Sequence, residues 1–574
     1  MPRLVDYVVL VGYDFDRSSG GESQGRIIQR FPTKSWDDYP YEFHLEAFCQ
    51  PCGWQLVQNR LPPTFFVAYL TDVVGNPYFA ACLTFHEAVT PQQLNAAERI
   101  TLLSNSADGG GSHNRQMTTQ VSHIVSGSVH HLRPAPSKLS PTTSSLHSSE
   151  SGCSYEVQGQ LFCRTRTNNS GFQSHNLDRT DPNLIRPAEL YAPKCLVLLA
   201  RHNHFDVLKN SLSVLYTVFA DSLRQYSLEQ IIATLLGAID VPPPGGPRIS
   251  FSLGAGDRQT IQPAHCTTIP VTRNYVALLF KHLGIHNVIL LFSAILSDQK
   301  VLLCSRSLNR LTESCQALTA LLYPLKYGHT FVPILPKCLI EYLNAPTPFL
   351  YGIHSDYRHL LPDLLDVFVV DLDGGSVACP ENLPVPQLPE PYFNEVVESL
   401  FQILSPELLT ADHVYPPKPN DFVPDLVVQD KQLRAVFVRL FASLFSGYRS
   451  CLSITRIHPQ PVIHFNQSLF IMLRTISAHN EFFERLLSSM RFQQFILERG
   501  PPFRVCDVFD EVYDASQPPE RTSNLWPIGT EDQDAPSPSG TNRLGLDERL
   551  SQKLLENVIS ILGLPINKSS NVVL

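Results

Sequence analysis

Apolar and polar positions change their spacing three times along this chain. Up to Phe85, short apolar runs alternate with turn-forming residues, the signature of a small antiparallel sheet. Strands are predicted at 4–13, 26–31, 54–57, 64–71 and 78–85. Val73-Val74-Gly75-Asn76-Pro77 turns the last two into a hairpin, and 45–50 reads as a short helix on the sheet. A further helix is predicted at 90–104.

Residues 105–187 are rich in Ser, Thr, Gly, His and Asn and poor in aromatics. Such a stretch cannot bury enough apolar surface to offset its ordering entropy, so it is expected to be a disordered insertion.

From 188 to 405 apolar runs of strand length alternate with helical periodicity. Strands are predicted at 195–200, 249–253, 301–304, 330–332, 349–352 and 367–371. Helices are predicted at 205–223, 228–239, 275–283, 287–296, 308–323 and 336–344. Ser227 and Gln230 are spaced as a capping box for the second of these helices. Short apolar strands between helices imply a mostly parallel sheet covered on both faces. In 425–513 only helical patterns occur. Leu433, Val436, Phe437, Leu440, Phe441, Leu444 and Phe445 form one apolar stripe. Residues 514–545 read as linker, and 546–574 as an amphipathic helix with a tail. The fold class expected is α/β with an α+β N-terminal lobe, extended by an all-helical segment.

Length and charge narrow the function. A chain of 574 residues exceeds a single core. Its net charge of −9 carries no block of one sign, which argues against nucleic acid as the main partner. No uninterrupted apolar run reaches the roughly 18 residues of a membrane span. Acidic Asp6 within the first apolar stretch makes a poor signal peptide. The 13 scattered cysteines then read as reduced thiols of an intracellular protein. The sequons at Asn168, Asn466 and Asn567 carry no weight in that setting.

Several strings imitate catalytic signatures. Gly21-Glu22-Ser23-Gln24-Gly25 fits a nucleophile elbow, but a second strand follows where a helix is required. Cys195 and Arg201 have the spacing of a cysteine phosphatase, yet the residues between them form a buried strand. Cys304 and Arg310 follow a strand and precede a helix. The intervening Ser305-Arg306-Ser307-Leu308-Asn309 lacks the glycines of a phosphate cradle. Cys49 and Cys52 form a CxxC pair with no second ligand pair at metal-site spacing. His130-His131 stands alone, and no HExxH or GxxxxGK[ST] string occurs; Gly254-Ala255-Gly256 lacks the helix of a dinucleotide site. Neither a cofactor nor a metal is expected, and the pattern favours a binding module.

Residues 279–324, LFKHLGIHNVILLFSAILSDQKVLLCSRSLNRLTESCQALTALLYP, and 331–357, FVPILPKCLIEYLNAPTPFLYGIHSDY, resemble the central segment of DENN domains. The N-terminal sheet resembles the upstream DENN segment. VFVRLFASLFSGYRSCL at 436–452 and FQQFILERG at 492–500 resemble the downstream one. LVDYVVLVGYD, GRIIQRFP, FCQPCGWQL, PPTFFVAYLTD, FAACLTF and ERGPPFRVCDVFDEVYD are similar to the SET-binding-factor group, myotubularin-related pseudophosphatases with an N-terminal DENN module. Members of that group continue into GRAM, inactive phosphatase and PH domains, so this chain is expected to correspond to their N-terminal part.

The resemblance implies a longin-type lobe (1–104), a central α/β lobe (188–405) and a helical downstream segment (425–513). It also implies guanine-nucleotide exchange on a Rab-family small GTPase, without covalent chemistry of the protein's own. Localisation would be cytoplasmic with recruitment to endosomal or other membranes, by peripheral association rather than a transmembrane segment. Candidate GTPase contacts are the polar turn Ser297, Asp298, Gln299 and Lys300; the strand end Ser305, Arg306 and Ser307, where ligands of open parallel sheets sit; and the stiff turn Pro333, Ile334, Leu335 and Pro336. Three alternatives stay open: a Rab-binding scaffold without exchange, a GTPase-activating protein offering Arg306 or Arg310, and a regulator of active myotubularin phosphatases.

Overall fold

The computed structural model describes residues 3–90 (except 18–21, 42–43 and 72–75), 92–93, 190–405 (except 222–226, 255 and 381–384) and 425–517 (except 456–461, 474–479 and 502). The predicted insertion, the linker and the C-terminal helix lie outside these residues. So do the hairpin turn at 73–75 and nearly all of the helix at 90–104.

The first lobe contains β1 (Tyr7–Tyr13), β2 (Glu22–Ser23), β3 (Gly25–Phe31), α1 (Glu46–Cys49), β4 (Trp54–Gln55), β5 (Thr64–Thr71), β6 (Pro77–Ala88) and β7 (Tyr191–Ala200). Two helices follow, α2 (Phe205–Asp221) and α3 (Leu228–Gly237). The main sheet has the order β3-β1-β7-β6-β5, and every neighbouring pair is antiparallel. Successive side chains of a strand point to opposite faces. Val8, Val67, Ala81 and Leu198 accordingly meet α2 and α3, while Val9, Phe66, Ala68, Cys82 and Val197 face the rest of the protein.

This arrangement corrects one sequence expectation. β7 was grouped with the parallel sheet because its apolar run is continuous, but it lies at the centre of the first sheet. Burial on both faces produces such a run whichever way the neighbours point. The first lobe therefore takes in both the N-terminal strands and residues 191–237. The capping box predicted at α3 does not form either. Ser227 Oγ donates to Glu229 Oε2 at 2.5 Å and leaves the backbone amides uncapped.

After the small hairpin β8 (Ile249–Phe251) and β9 (Gln259–Ile261) comes α4 (Tyr275–Leu296), kinked at Gly284, whose φ is 77°. The kink divides α4 where two helices were predicted. α4 is the one described helix long and apolar enough to cross a membrane, and it lies mostly buried in the core. Its N-terminal amides are not capped by the adjacent Asn274. Instead buried Asp430 accepts from Val276 N at 2.7 Å and from Thr272 Oγ1 at 2.6 Å, while Arg434 Nε donates to it at 3.0 Å.

The second sheet is built from β10 (Lys300–Ser305), β11 (Thr330–Val332), β12 (Phe349–His354), β13 (Val367–Asp371) and β14 (Ser376–Ala378), with α5 (Leu308–Leu321) between β10 and β11. Its order is β11-β12-β10-β13-β14, parallel except for β14. One face meets α4 and α5. The other is covered by the 3-10 segments Lys337–Asn344 and Ser355–Asp363.

The remaining elements are α6 (Glu390–Leu404), α7 (Leu426–Leu444), a hairpin of β15 (Leu452–Thr455) and β16 (Val462–Phe465), α8 (Gln467–Leu473), α9 (Asn480–Ser488), α10 (Met490–Arg499) and α11 (Val508–Ser516). The hairpin was not anticipated in a segment read as helical throughout. The predicted stripe of α7 is buried along its whole length, and Phe437 meets Phe292 of α4 edge-on, ring centroids 4.9 Å apart.

Candidate functional site

The two lobes meet at α5. Strand β5 is an edge of the first sheet, so its outward carbonyls need partners from elsewhere. Asn309 Nδ2 donates to Phe65 O at 2.7 Å, and Thr312 Oγ1 donates to Val67 O at 2.8 Å. These two residues of α5 thus continue the ladder of the first sheet while α5 packs on the second.

A groove opens between residues of the two lobes. It has a volume of about 640 Å³, and its walls include Glu22, Ser23, His44 and Trp54 from the first lobe and Pro336 and Lys337 from the second. Lys337 Nζ donates to Glu22 Oε2 at 3.1 Å, and Lys337 N donates to Pro51 O at 2.8 Å. Ser23, the nominal elbow serine, sits in the two-residue strand β2, and its Oγ donates to Asp14 O at 2.6 Å.

The C-terminal ends of β10, β12 and β13 form a polar rim. Asp373 is its hub, accepting from Ser305 Oγ at 2.8 Å, Arg306 N at 2.8 Å and Arg310 Nη1 at 2.6 Å. Burial alone would raise the Asp373 carboxyl. The Arg306 amide, the Ser305 hydroxyl and the Arg310 guanidinium outweigh it and hold the group below its ordinary value. Ser307 caps α5 by accepting from Arg310 N. Arg306 is exposed, and its guanidinium has no protein partner among the described residues. The Cys304–Arg310 pair is no phosphatase loop: burial pushes the Cys304 thiol up, and Arg310 is committed to Asp373.

The other candidate contacts fall elsewhere. Ser297–Lys300 is a half-buried turn in which Asp298 has a φ of 55°. Asp298 Oδ1 lies 2.7 Å from His329 Nε2 and also pairs with Arg491 of α10. Burial lowers Arg491 to about 10. Ser297 Oγ donates to Ser293 O at 2.9 Å, Gln299 Nε2 donates to Ser297 O at 3.2 Å, and Lys300 Nζ donates to Asp366 Oδ2 at 2.6 Å. Pro333, Ile334, Leu335 and Pro336 are all buried. The chain turns there against Gly352, whose carbonyl accepts from Leu335 N at 2.7 Å. Of the eleven candidates only Arg306 is exposed, and only Pro336 lines the groove.

Three features escaped the sequence reading: the Asp373 hub, the seam at Asn309 and Thr312, and the cluster Cys52, His354 and Asp356, which the fold assembles from both lobes. The first had a signal, since Asp371-Leu372-Asp373-Gly374-Gly375 follows a predicted parallel strand. The other two depend on long-range packing. The CxxC pair is split, because Cys49 turns into the core beside Cys82 and Cys195.

Two family models match the chain, the uDENN domain over residues 25–85 and the DENN (AEX-3) domain over residues 191–375. The chain carries these two domains of the DENN class in this order. Proteins of this class are in general exchange factors for Rab GTPases.

Among its relatives, the chain is 36% identical over 247 residues to Myotubularin-related protein 5 of Caenorhabditis elegans, covering 42% of this chain and 14% of that protein. It is 29% identical over 273 residues to the DENN domain and WD repeat-containing protein SCD1 of Arabidopsis thaliana, covering 46% and 23% respectively. To the MAP kinase-activating death domain protein of Mus musculus it is 25% identical over 567 residues, covering 86% and 34%. The chain thus spans between 14% and 34% of the length of these relatives.

Proposed function

We propose that this chain is a guanine-nucleotide exchange factor for a Rab-family GTPase, and that it grips the GTPase across the groove and rim of the two joined lobes. The observation that carries this reading is the placement of α5. One helix closes the free edge of the first sheet and begins at the rim where Arg306 stands exposed. A partner seated there meets both lobes as one rigid surface.

The mechanism needs no covalent step. Bound nucleotide and Mg²⁺ keep the switch loops of a GTPase ordered. A partner that prefers the switches in another arrangement weakens nucleotide binding by the ratio of its own affinities for the two forms. Arg306 and Ser307 at the rim are the accessible part of the proposed contact. Pro336 acts by shaping the groove wall. Work at endosomal or other membranes belongs to the same proposal, as does a link to myotubularin phosphatases, which draws on the similarity to Myotubularin-related protein 5.

The test compares the affinity of the purified chain for nucleotide-free and GDP-loaded Rab proteins. Exchange requires the empty form to bind more tightly, and equal affinities would leave only a scaffold. The exposed guanidinium of Arg306 favours one second reading, stimulation of GTP hydrolysis by an inserted arginine. Single-turnover hydrolysis with the parent chain and with Arg306→Ala separates it from exchange.

A further inference from the structure

Cys52, His354 and Asp356 lie in different lobes and far apart in sequence. Cys52 follows α1 of the first lobe, His354 ends β12 of the second, and Asp356 is the second residue of the 3-10 segment after it. Their ligand atoms nevertheless all fall within 4.8 Å of one another.

The hydrogen bonding of His354 orients its ring. Its Nε2 lies 3.1 Å from the carbonyl of Arg306. A carbonyl only accepts, so Nε2 carries a proton, and in the neutral ring the lone pair lies on Nδ1. That nitrogen lies 3.1 Å from Asp356 Oδ2. Among the described residues its backbone donor is the Asp356 amide, at a long 3.4 Å. With the ring neutral, two electron-pair donors face each other beside a thiol.

We propose that Cys52, His354 and Asp356 bind one divalent transition-metal ion, with zinc the best chemical fit, and that this ion ties the two lobes together beside the groove.

Four observations support the assignment. Zinc takes Cys, His and carboxylate ligands at roughly 2.0–2.3 Å, and tetrahedral bonds of that length separate ligand atoms by about 3.3 Å, close to the observed His–Asp spacing. The mixture of sulfur, nitrogen and oxygen selects zinc-like ions over magnesium or calcium. The Arg306 carbonyl on Nε2–H is the outer partner that metal-bound histidines ordinarily have. Finally, Cys52 and His354 are half-buried while Asp356 is exposed, so an ion has a route in and water can complete its coordination.

The balance is simple: binding releases the Cys52 thiol proton to solvent and forms the metal–sulfur, metal–nitrogen and metal–oxygen bonds. The ion would also fix the Arg306 backbone through His354. The proposal stands independently of the GTPase reading.

The experiment uses the full chain stripped by chelator, titrated with Co²⁺ by absorption spectroscopy and with Zn²⁺ by calorimetry against a competing chelator. One equivalent should bind. Co²⁺ should give a thiolate-to-metal charge-transfer band, and Zn²⁺ should raise the melting temperature. Cys52→Ser should abolish the band. His354→Ala and Asp356→Asn should each weaken Zn²⁺ binding by at least about tenfold. Cys506→Ser, at an exposed cysteine outside the cluster, should change nothing. Asp356 is exposed, so its variant reports even if another fails to fold. Absence of stoichiometric binding, or a band and an affinity that survive all three cluster substitutions, overturns the proposal.

Discussion

The side-chain amide of Asn309 donates a 2.7 Å hydrogen bond to the main-chain carbonyl of Phe65, so a helix of the α/β lobe completes the edge strand of the first lobe. Thr312 repeats the contact one turn later, at 2.8 Å to Val67 O. Thr312 is buried, and replacing it by Val keeps its shape while leaving the Val67 carbonyl without its partner. Thr312→Val should cost about 1–3 kcal/mol, and Asn309→Ala about 1 kcal/mol, read as shifts of the urea midpoint. An unchanged midpoint in the double variant would mean that the seam does not couple the lobes.

Asp298 pairs with Arg491, whose side chain is only 1% exposed. Asp298→Asn tolerates the same left-handed backbone but removes the countercharge of a buried guanidinium. The expected loss is about 3–5 kcal/mol. Adding Arg491→Met should recover part of it, because the unpaired charge is then gone. Urea denaturation of both variants checks the pair. A double variant no more stable than Asp298→Asn would place the cost elsewhere.

Gly352 lies in β12, where a Cβ would stand 2.1 Å from the Pro333 carbonyl oxygen and 3.3 Å from Leu311 Cβ. The first obstacle is backbone and cannot swing away. Gly352→Ala should therefore cost about 3 kcal/mol or more. Gly237→Ala is the control, since a Cβ there meets nothing within 4 Å and should be close to neutral. Thermal melts of the two variants make the comparison.

Burial pushes the carboxyl of Glu313 up from 4.5 to about 7, against the pull of Arg273, Arg310 and Lys209. The folded state then holds a proton that the unfolded chain has released, so stability falls as pH rises from about 4.5 through 7. Glu313→Gln removes this dependence. The variant should be more stable than the parent at pH 8 by on the order of 2 kcal/mol, with the difference vanishing near pH 4. A constant difference across that range would show that Glu313 is already ionised in the folded protein.

Much of the fold was legible because burial leaves periodic traces. The stripe from Leu433 to Phe445, the strand Lys300–Ser305 and the hairpin of β5 and β6 all follow from spacing. The position of Tyr191–Ala200 was not, since a doubly covered strand looks the same in either kind of sheet. The placement of Ser305 and Arg306 was legible, at the end of a recognisable parallel strand. Ile334 and Leu335 were placed in a turn correctly, but nothing local reveals that Gly352 closes over them. Partners joined across lobes, such as Asn309 with Phe65 and Cys52 with His354, leave no trace in sequence because only packing brings them together.

The most direct test of the account is the release of labelled GDP from a panel of Rab proteins, measured with the parent chain and with the Asn309→Ala/Thr312→Val variant. The account predicts at least about tenfold acceleration for one Rab or a small subset, sharply reduced in the seam variant at a temperature where that variant is still folded. Release at the spontaneous rate from every Rab, or acceleration undiminished by loss of the seam, would contradict it.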